Sequence, residues 1–425
     1  MGMSRLLAST VLAVTLALPA GAQARLSARE VNEDFKALWS DVNTNYAYLD
    51  RQQTRWQDVP ALYRSDLKRV RTRRELVTVI EAIIDELHDP HAQLTVNTAT
   101  SPRLVPSGTD LWAAWNSGKA IVTEVRAGSD ADRAEIQAGA EVVAINGVAV
   151  SEAVKHRLGR AVGPKPEAAP DWALRAVLAG WHGIPRDLDL LQNGTRIHVS
   201  LPAADQFSRV DGDRMRSATL DDSIGFIRIN DALGDNALIG DFDAALARLR
   251  GTRALILDLR DTPGGGNSTV ARAILGRFID QEMPYQKHLL PSEERETGIR
   301  RSWVELVSPR GPFTYTRPVV ILVDHWTGSM GEGIAIGFDG MKGATVVGTE
   351  MAGLLGATEH MILPHSGIGM NLPTEKLFHV NGTPREQFRP PVYVDVVADR
   401  SATKDKILEE GLRVARQRLL VVDEK

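Results

Sequence analysis

The sequence predicts an α/β protein, and three observations carry that prediction. From Ile224 onward, strand-like and helix-like patterns alternate at the spacing of crossover connections, which argues for a layer of mostly parallel strands. The run Val319-Val320-Ile321-Leu322-Val323, introduced by Pro318 and closed by a polar turn, reads as a central strand covered on both faces. A chain of 425 residues also exceeds one ordinary domain, so two or three units are expected.

Within the layer, Ile224–Ile229 is the first strand, and Leu238, Ile239, Phe242, Leu246 and Leu249 mark an amphipathic helix. A second strand ends in Leu257-Asp258-Leu259 and opens the loop Arg260-Asp261-Thr262-Pro263-Gly264-Gly265-Gly266. A helix from about Ser268 to Ile279 and a polar insertion lead to the Val319 strand. Ligands of such layers sit at the C-terminal ends of strands, where the Pro263 loop and the Ser329 turn compete for the position.

Composition narrows the function classes. A hydrophobic content of 43% and a charged content of 24% are globular values, and a net charge of −4 leaves no basic footprint for nucleic acid. Cysteine is absent, which removes thiolate chemistry and Cys-ligated zinc.

Residues 1–24 read as a secretory signal peptide: Arg5, an apolar stretch from Leu6 to Leu18, Pro19, then Ala22-Gln23-Ala24 before a cut ahead of Arg25. That stretch is short of the roughly 20 residues a bilayer span needs, and no other stretch is apolar enough, so a periplasmic or secreted protein without a membrane span is expected. Ser27 with Glu30 and Thr72 with Glu75 have the spacing of capping boxes. The second helix carries Leu76, Val79, Ile80, Ile83, Ile84 and Leu87 at helical spacing and stops at His88-Asp89-Pro90-His91, because Pro90 disfavours helix in the residue before it. Residues 25–102 are therefore expected as a small helical domain ending in a histidine-bearing turn.

Residues 103–203 change to short strands and turns, with an Asn146-Gly147 hairpin signal. Gly128-Ser129-Asp130-Ala131 through Val143-Ala144-Ile145-Asn146-Gly147 resembles a PDZ domain. Between Lys155 and Asp189 the sequence departs from that pattern, and the carboxylate-binding loop before the first strand is not recognisable; Leu111-Trp112-Ala113-Ala114-Trp115 stands near it.

In the remaining unit, 204–425, the Val319 strand turns through Thr327-Gly328 and delivers Ser329 to a helix start, where free N–H groups and the helix dipole favour negative charge. A serine there is either an N-cap or a nucleophile. Gly328 and Gly331 leave room for a sharp turn and a close substrate. The N–H groups of Met330 and of Gly264 or Gly265 are candidate donors to an oxyanion. The glycine loop lacks the spacing and the lysine of a phosphate-binding P-loop.

Asp258-Leu259-Arg260-Asp261-Thr262-Pro263-Gly264-Gly265, Thr327-Gly328-Ser329-Met330-Gly331-Glu332 and Val347-Gly348-Thr349-Glu350-Met351-Ala352-Gly353 together resemble the core of the carboxy-terminal processing peptidases and the related tricorn-type proteases. The resemblance implies a crotonase-like α/β core and a serine endopeptidase that acts on unstructured or carboxy-terminal parts of proteins or peptides, without metal or cofactor. The same fold carries a retinoid-binding protein, so a non-catalytic ligand- or peptide-binding protein is the alternative.

The family divides by its base. The processing peptidases place a lysine near Gly353-Leu354-Leu355-Gly356, and here Leu354 stands in that stretch. Lys342, thirteen residues past Ser329, lies about 20 Å down a helix, while Lys376 stays open. The tricorn-type branch takes a histidine from the N-terminal region and a late glutamate, and the resemblance assigns these to His91 and Glu386, with Pro90 where a helper serine is expected. His88, His325, His360 and His365 are further candidates for the base.

Overall fold

A computed structural model describes residues 24–203, 212–220, 223–341, 343–397 and 405–423. The expected signal segment, apart from Ala24, and Lys342 lie outside the described residues. Among the described residues no helix is long and apolar enough to cross a membrane.

The Val319 strand is the middle of the molecule, and its alternation shows why. Val319, Ile321 and Val323 enter one core with the helices Leu238–Arg248, Ser268–Leu275 and Met330–Gly340, while Val320 and Leu322 enter another with the C-terminal helix Lys406–Asp423. All five residues are buried, each apolar side chain contributing about 1.5–3 kcal/mol. The sheet runs in the order Val392–Tyr393, Ala344–Gly348, Val319–Val323, Ala254–Asp258, Ile224–Ile229, Met215–Leu220. Its first five strands pair in parallel, and Met215–Leu220 closes the edge antiparallel. The expected α/β core is thereby confirmed, with the helix after the glycine loop ending earlier, at Leu275.

The polar insertion after that helix is not a loop. It forms the antiparallel hairpin Met283–Leu290 and Arg301–Val307, which joins Gly369–Phe378, Ala357–Ile362 and Gln93–Leu94 in a second sheet. Nor does the N-terminal helical segment close its own core. Leu38, Leu76, Ile80 and Ile83 share one apolar cluster with Leu355, Leu363, Ile368, Met370 and Leu372. Both capping boxes form there: the Ser27 amide donates to Glu30 at 2.7 Å and the Thr72 amide to Glu75 at 3.0 Å, each answered by a hydroxyl at 3.2 Å.

Residues 103–203 build a third sheet, Leu111–Asn116, Lys119–Val125, Glu141–Ile145, Arg186–Gln192 and Thr195–Leu201, with Val148–Ala149 paired to Glu141–Ile145. Asn146 and Gly147 both adopt positive φ, 49° and 76°, as a tight hairpin turn demands. The departing stretch holds the helix Ala169–Ala179, whose Trp172, Leu174 and Val177 pack into this unit's core.

Candidate active site

The turn after the Val319 strand is sewn to the neighbouring glycine loop. Asp324 accepts the Trp326 amide at 2.8 Å, the Thr327 hydroxyl donates to the Leu259 carbonyl at 3.1 Å, and the Gly328 amide donates to the Thr262 carbonyl at 3.3 Å. These bonds force Ser329 to φ 49° and ψ −107°, a conformation that costs a non-glycine residue about 1–3 kcal/mol and persists only where surroundings over-determine it. Gly265, at φ +66°, lies so close that a Cβ there would fall 2.4 Å from the Ser329 Cβ. The serine is thus held at the mouth of Met330–Gly340, the helix whose first residue is Met330.

The three expected oxyanion donors are not equivalent. The Gly264 amide donates to Asp231 Oδ1 at 2.7 Å and the Gly265 amide to the Thr262 carbonyl at 3.2 Å, so neither is free as the loop stands. The Met330 amide, first in its helix, has no acceptor among the described residues, as the geometry of a helix start provides. Counting glycine amides in the sequence could not reveal that Asp231 had already claimed one.

His91 sits on the turn after the helix Arg73–Asp85, almost fully buried. Its amide donates to Asp89 Oδ1 at 2.9 Å, and Tyr46 donates to the other oxygen of Asp89 at 2.8 Å, which fixes the turn. Burial pushes the Asp89 carboxyl up to about 6. The His91 Nδ1 lies 2.7 Å from the Leu355 carbonyl. A carbonyl only accepts, so Nδ1 carries the hydrogen and Nε2 keeps its lone pair. Burial, aided by the charge of Arg385, lowers the imidazole to about 4, so it is neutral at ordinary pH.

Glu332 joins the two halves. It is buried in the first turn of the serine's helix; Oε2 accepts the Ser329 amide at 2.8 Å and the Leu354 amide at 3.3 Å, and Oε1 accepts the Gly353 amide at 3.0 Å. Leu355, which orients His91, is the next residue. Buried Arg385 donates to the carbonyls of Leu354 and Gly356, both at 2.9 Å, and stands 3.9 Å from Glu332. No hydrogen bond joins the Ser329 hydroxyl directly to His91 among the described residues. Serine and histidine are instead held by adjacent backbone turns that share one carboxylate.

The remaining candidates fall elsewhere. Leu354 is buried with Trp112, Trp326 and Ala352, and its Cδ1 would meet a Cβ on Gly328 at 3.3 Å, so an apolar side chain fills the space beside the serine turn. Lys376 is paired with Asp50 at 2.5 Å, with its ammonium 5.3 Å from the Tyr48 ring centre. Glu386 accepts from Arg51 at 2.7 Å, and its other oxygen is buried with no hydrogen-bond partner among the described residues. His88 bonds the Leu158 carbonyl, His325 pairs with Glu124, His360 with Asn371 and His365 with Glu33. Among the described residues no group of three or more acidic or histidine side chains is gathered as a metal site requires. Sequence reasoning missed Asp89, Glu332 and Arg385 as parts of this site. For Glu332 a signal existed, the Ser-x-x-Glu spacing from Ser329 that marks a helix start.

Comparison with known proteins meets this geometry at two places in the chain. Residues 223–394 match the peptidase family S41, and residues 27–85 match the tricorn protease C1 domain. A carboxyl-terminal-processing protease from Synechocystis sp. is 27% identical over 346 residues, spanning 77% of this chain and 73% of that protein. Among solved structures, mature CPAF superposes with a TM-score of 0.61 at 16% identity, covering 94% of this chain and 99% of that one. The photosystem II D1 C-terminal processing protease gives a TM-score of 0.55 at 17% identity, covering 91% of this chain and 97% of that one. At such identities these two structures establish the fold and nothing finer.

Proposed function

We propose, for a chain that belongs to peptidase family S41 and is a serine-type peptidase, that it is an exported endopeptidase cutting unstructured or carboxy-terminal stretches of proteins through an acyl-enzyme on Ser329, with His91 as the base. The observation that carries the choice of base is the His91–Leu355 hydrogen bond, which puts the hydrogen of a neutral imidazole on Nδ1 and leaves the Nε2 lone pair to take a proton. Lysine is disfavoured because Leu354 fills the space beside the serine turn and Lys376 is paired with Asp50.

In this reading His91 Nε2 takes the Ser329 proton as the oxygen attacks the scissile carbonyl carbon. The Met330 amide receives the developing oxyanion. Collapse breaks the C–N bond, and the departing amine takes the proton from His91. Water then attacks the ester, losing a proton to His91, and release of the acid returns that proton to Ser329. Glu386 acts at a distance: it holds Arg51, and its charge lies beside Asp89, which fixes the His91 turn.

Substrate class rests on the family, on the name of the Synechocystis relative and on the resemblance of residues 103–203 to a peptide-end-binding domain. Export rests on Ala22-Gln23-Ala24, and N-terminal sequencing of the mature protein should begin at Arg25. A fluorophosphonate should label the purified protein at Ser329, and the protein should cut an unfolded polypeptide. Absence of both labelling and cleavage would favour the non-catalytic binding alternative.

A further inference from the structure

We propose that Glu332 is a positioning residue whose carboxylate ties the Ser329 turn to the Gly353–Leu355 turn and so holds nucleophile and base in one frame. The inference rests on the Ser329–His91 reading and deepens it.

An ordinary helix-start glutamate caps its own helix at the surface. Glu332 differs in burial and in reach, since two of the three amides it accepts belong to a turn more than twenty residues away. Both turns it grips are conformationally demanding: Ser329 is at φ 49° and Gly353 at φ 70°. Without the carboxylate, the buried Leu354 N–H and the part-buried Ser329 and Gly353 N–H groups lose their acceptor, and the turn that carries the Leu355 carbonyl is left held by Arg385 alone on that side. The coupling therefore runs from Ser329 through Glu332 and Leu354 to Leu355 and His91, almost entirely along backbone.

The same carboxylate is poised to change charge. Burial raises Glu332 to about 7, against the opposing pull of Arg385 and the three amides. Arg385 is the charged group facing it; the serine turn and the Gly353 turn present only amides. A proton on the carboxyl, most easily carried by Oε1 with its single N–H donor, removes the charge and weakens the hold on both turns, because a neutral oxygen is the poorer acceptor. His91 stays neutral down to about 4, so its own protonation cannot account for a loss of rate near neutrality. The sign for stability is opposite. A carboxyl raised by folding contributes stability below its unfolded value, and that contribution fades as pH rises through about 7. Acidification through that range should thus remove activity without removing the fold.

The test is the rate at which a fluorophosphonate labels Ser329 from pH 5 to 9, with the melting temperature followed in parallel. In the wild type the rate should fall with a midpoint near 7, with no matching fall in melting temperature across that step. Glu332→Gln should label on the order of 10- to 100-fold more slowly at pH 8 and show no further fall between pH 8 and 5. A Glu332→Gln protein labelled at the wild-type rate, or with an unchanged acid limb, overturns the role of Glu332 and leaves the Ser329 peptidase reading standing. A wild type that is never labelled overturns both. Should Glu332→Gln fail to fold, Glu332→Asp keeps the charge and shortens the reach: slower labelling with the acid limb retained supports the proposal, and wild-type labelling overturns it. Should neither variant fold, the wild-type profile is read beside Glu124→Gln, because burial also raises the Glu124 carboxyl to about 7: an acid limb kept in that variant supports the proposal, and a limb lost with Glu124, or a wild-type rate flat down to pH 5, overturns it.

Discussion

The serine turn is gripped from two sides, and the two grips are made of different material. Toward residues 103–203 the contacts are side chains: Trp326 donates to the Thr109 carbonyl at 2.8 Å, His325 stacks on Trp112 at 4.8 Å between ring centres, and Glu124 bonds both His325 and Thr349. Arg126 adds an ion pair to Asp261 at 2.7 Å, and Arg175 covers the Trp112 ring at 4.4 Å. Toward the N-terminal helices the contacts are backbone amides and carbonyls organised by Glu332 and Arg385. The first grip depends on buried aromatic area and so anchors. The second depends on hydrogen-bond direction and so orients.

If that division is right, the largest loss comes from the reacting groups on the orienting side. Ser329→Ala and His91→Ala should each lower turnover on the order of a thousandfold or more, and the double variant should lose little beyond either, because the two act as a unit. Full additivity in that cycle would break the pairing. The acid dependence sharpens the same point. Folding lowers His91 to about 4, so below its ordinary pKa of about 6.5 the unfolded chain binds the extra proton first. The stability His91 contributes is present above that range and is lost as pH falls toward 4. Replacing His91 with Gln should flatten the melting temperature against pH between about 6.5 and 4, and an unchanged slope would show that another group carries it.

The anchoring side should fail differently. Trp112→Ala empties a buried aromatic site between Trp326, Leu354 and His325, which by analogy with other core truncations costs about 3–5 kcal/mol of stability. At a temperature where the variant stays folded, labelling of Ser329 should change only a few-fold, while cleavage of a long unfolded polypeptide should fall further. Equal losses on both would show that the aromatic grip also orients the serine.

The anchoring side was the more legible of the two. Buried strands announce themselves by apolar runs, and the hairpin at Asn146-Gly147 by two residues that tolerate positive φ. The orienting side was mostly silent, because the partner of His91 is the carbonyl of Leu355, and a carbonyl is the same at every position. The sheet containing Met283–Leu290 was read as a polar insertion because Arg301–Val307 alternates exposed and covered residues among charged ones. The helical segment looked self-contained because Leu76, Ile80 and Ile83 show a clean stripe, yet the other half of their core lies at Leu355 to Leu372. Local pattern says that a face is buried; it does not say against what.

The smallest expected effect is at Glu386, and it separates resemblance from geometry. The tricorn-type pattern gives a late glutamate a part in the relay, but here the His91 Nδ1 hydrogen is taken by Leu355 and the Glu386 carboxylate by Arg51. The Arg51–Glu386 pair is only partly shielded, with the arginine 29% exposed and the glutamate 9%, so its net value is modest. Glu386→Gln keeps the shape and one acceptor for Arg51 while removing the charge beside Asp89. Turnover should therefore drop no more than about tenfold, against the thousandfold expected of His91→Ala, and Arg51→Met should have a similar small effect. Were Glu386→Gln as damaging as His91→Ala, the working enzyme would have to swing the imidazole away from Leu355 and onto Glu386, and the orienting role of the Gly353–Leu355 turn would fall with it.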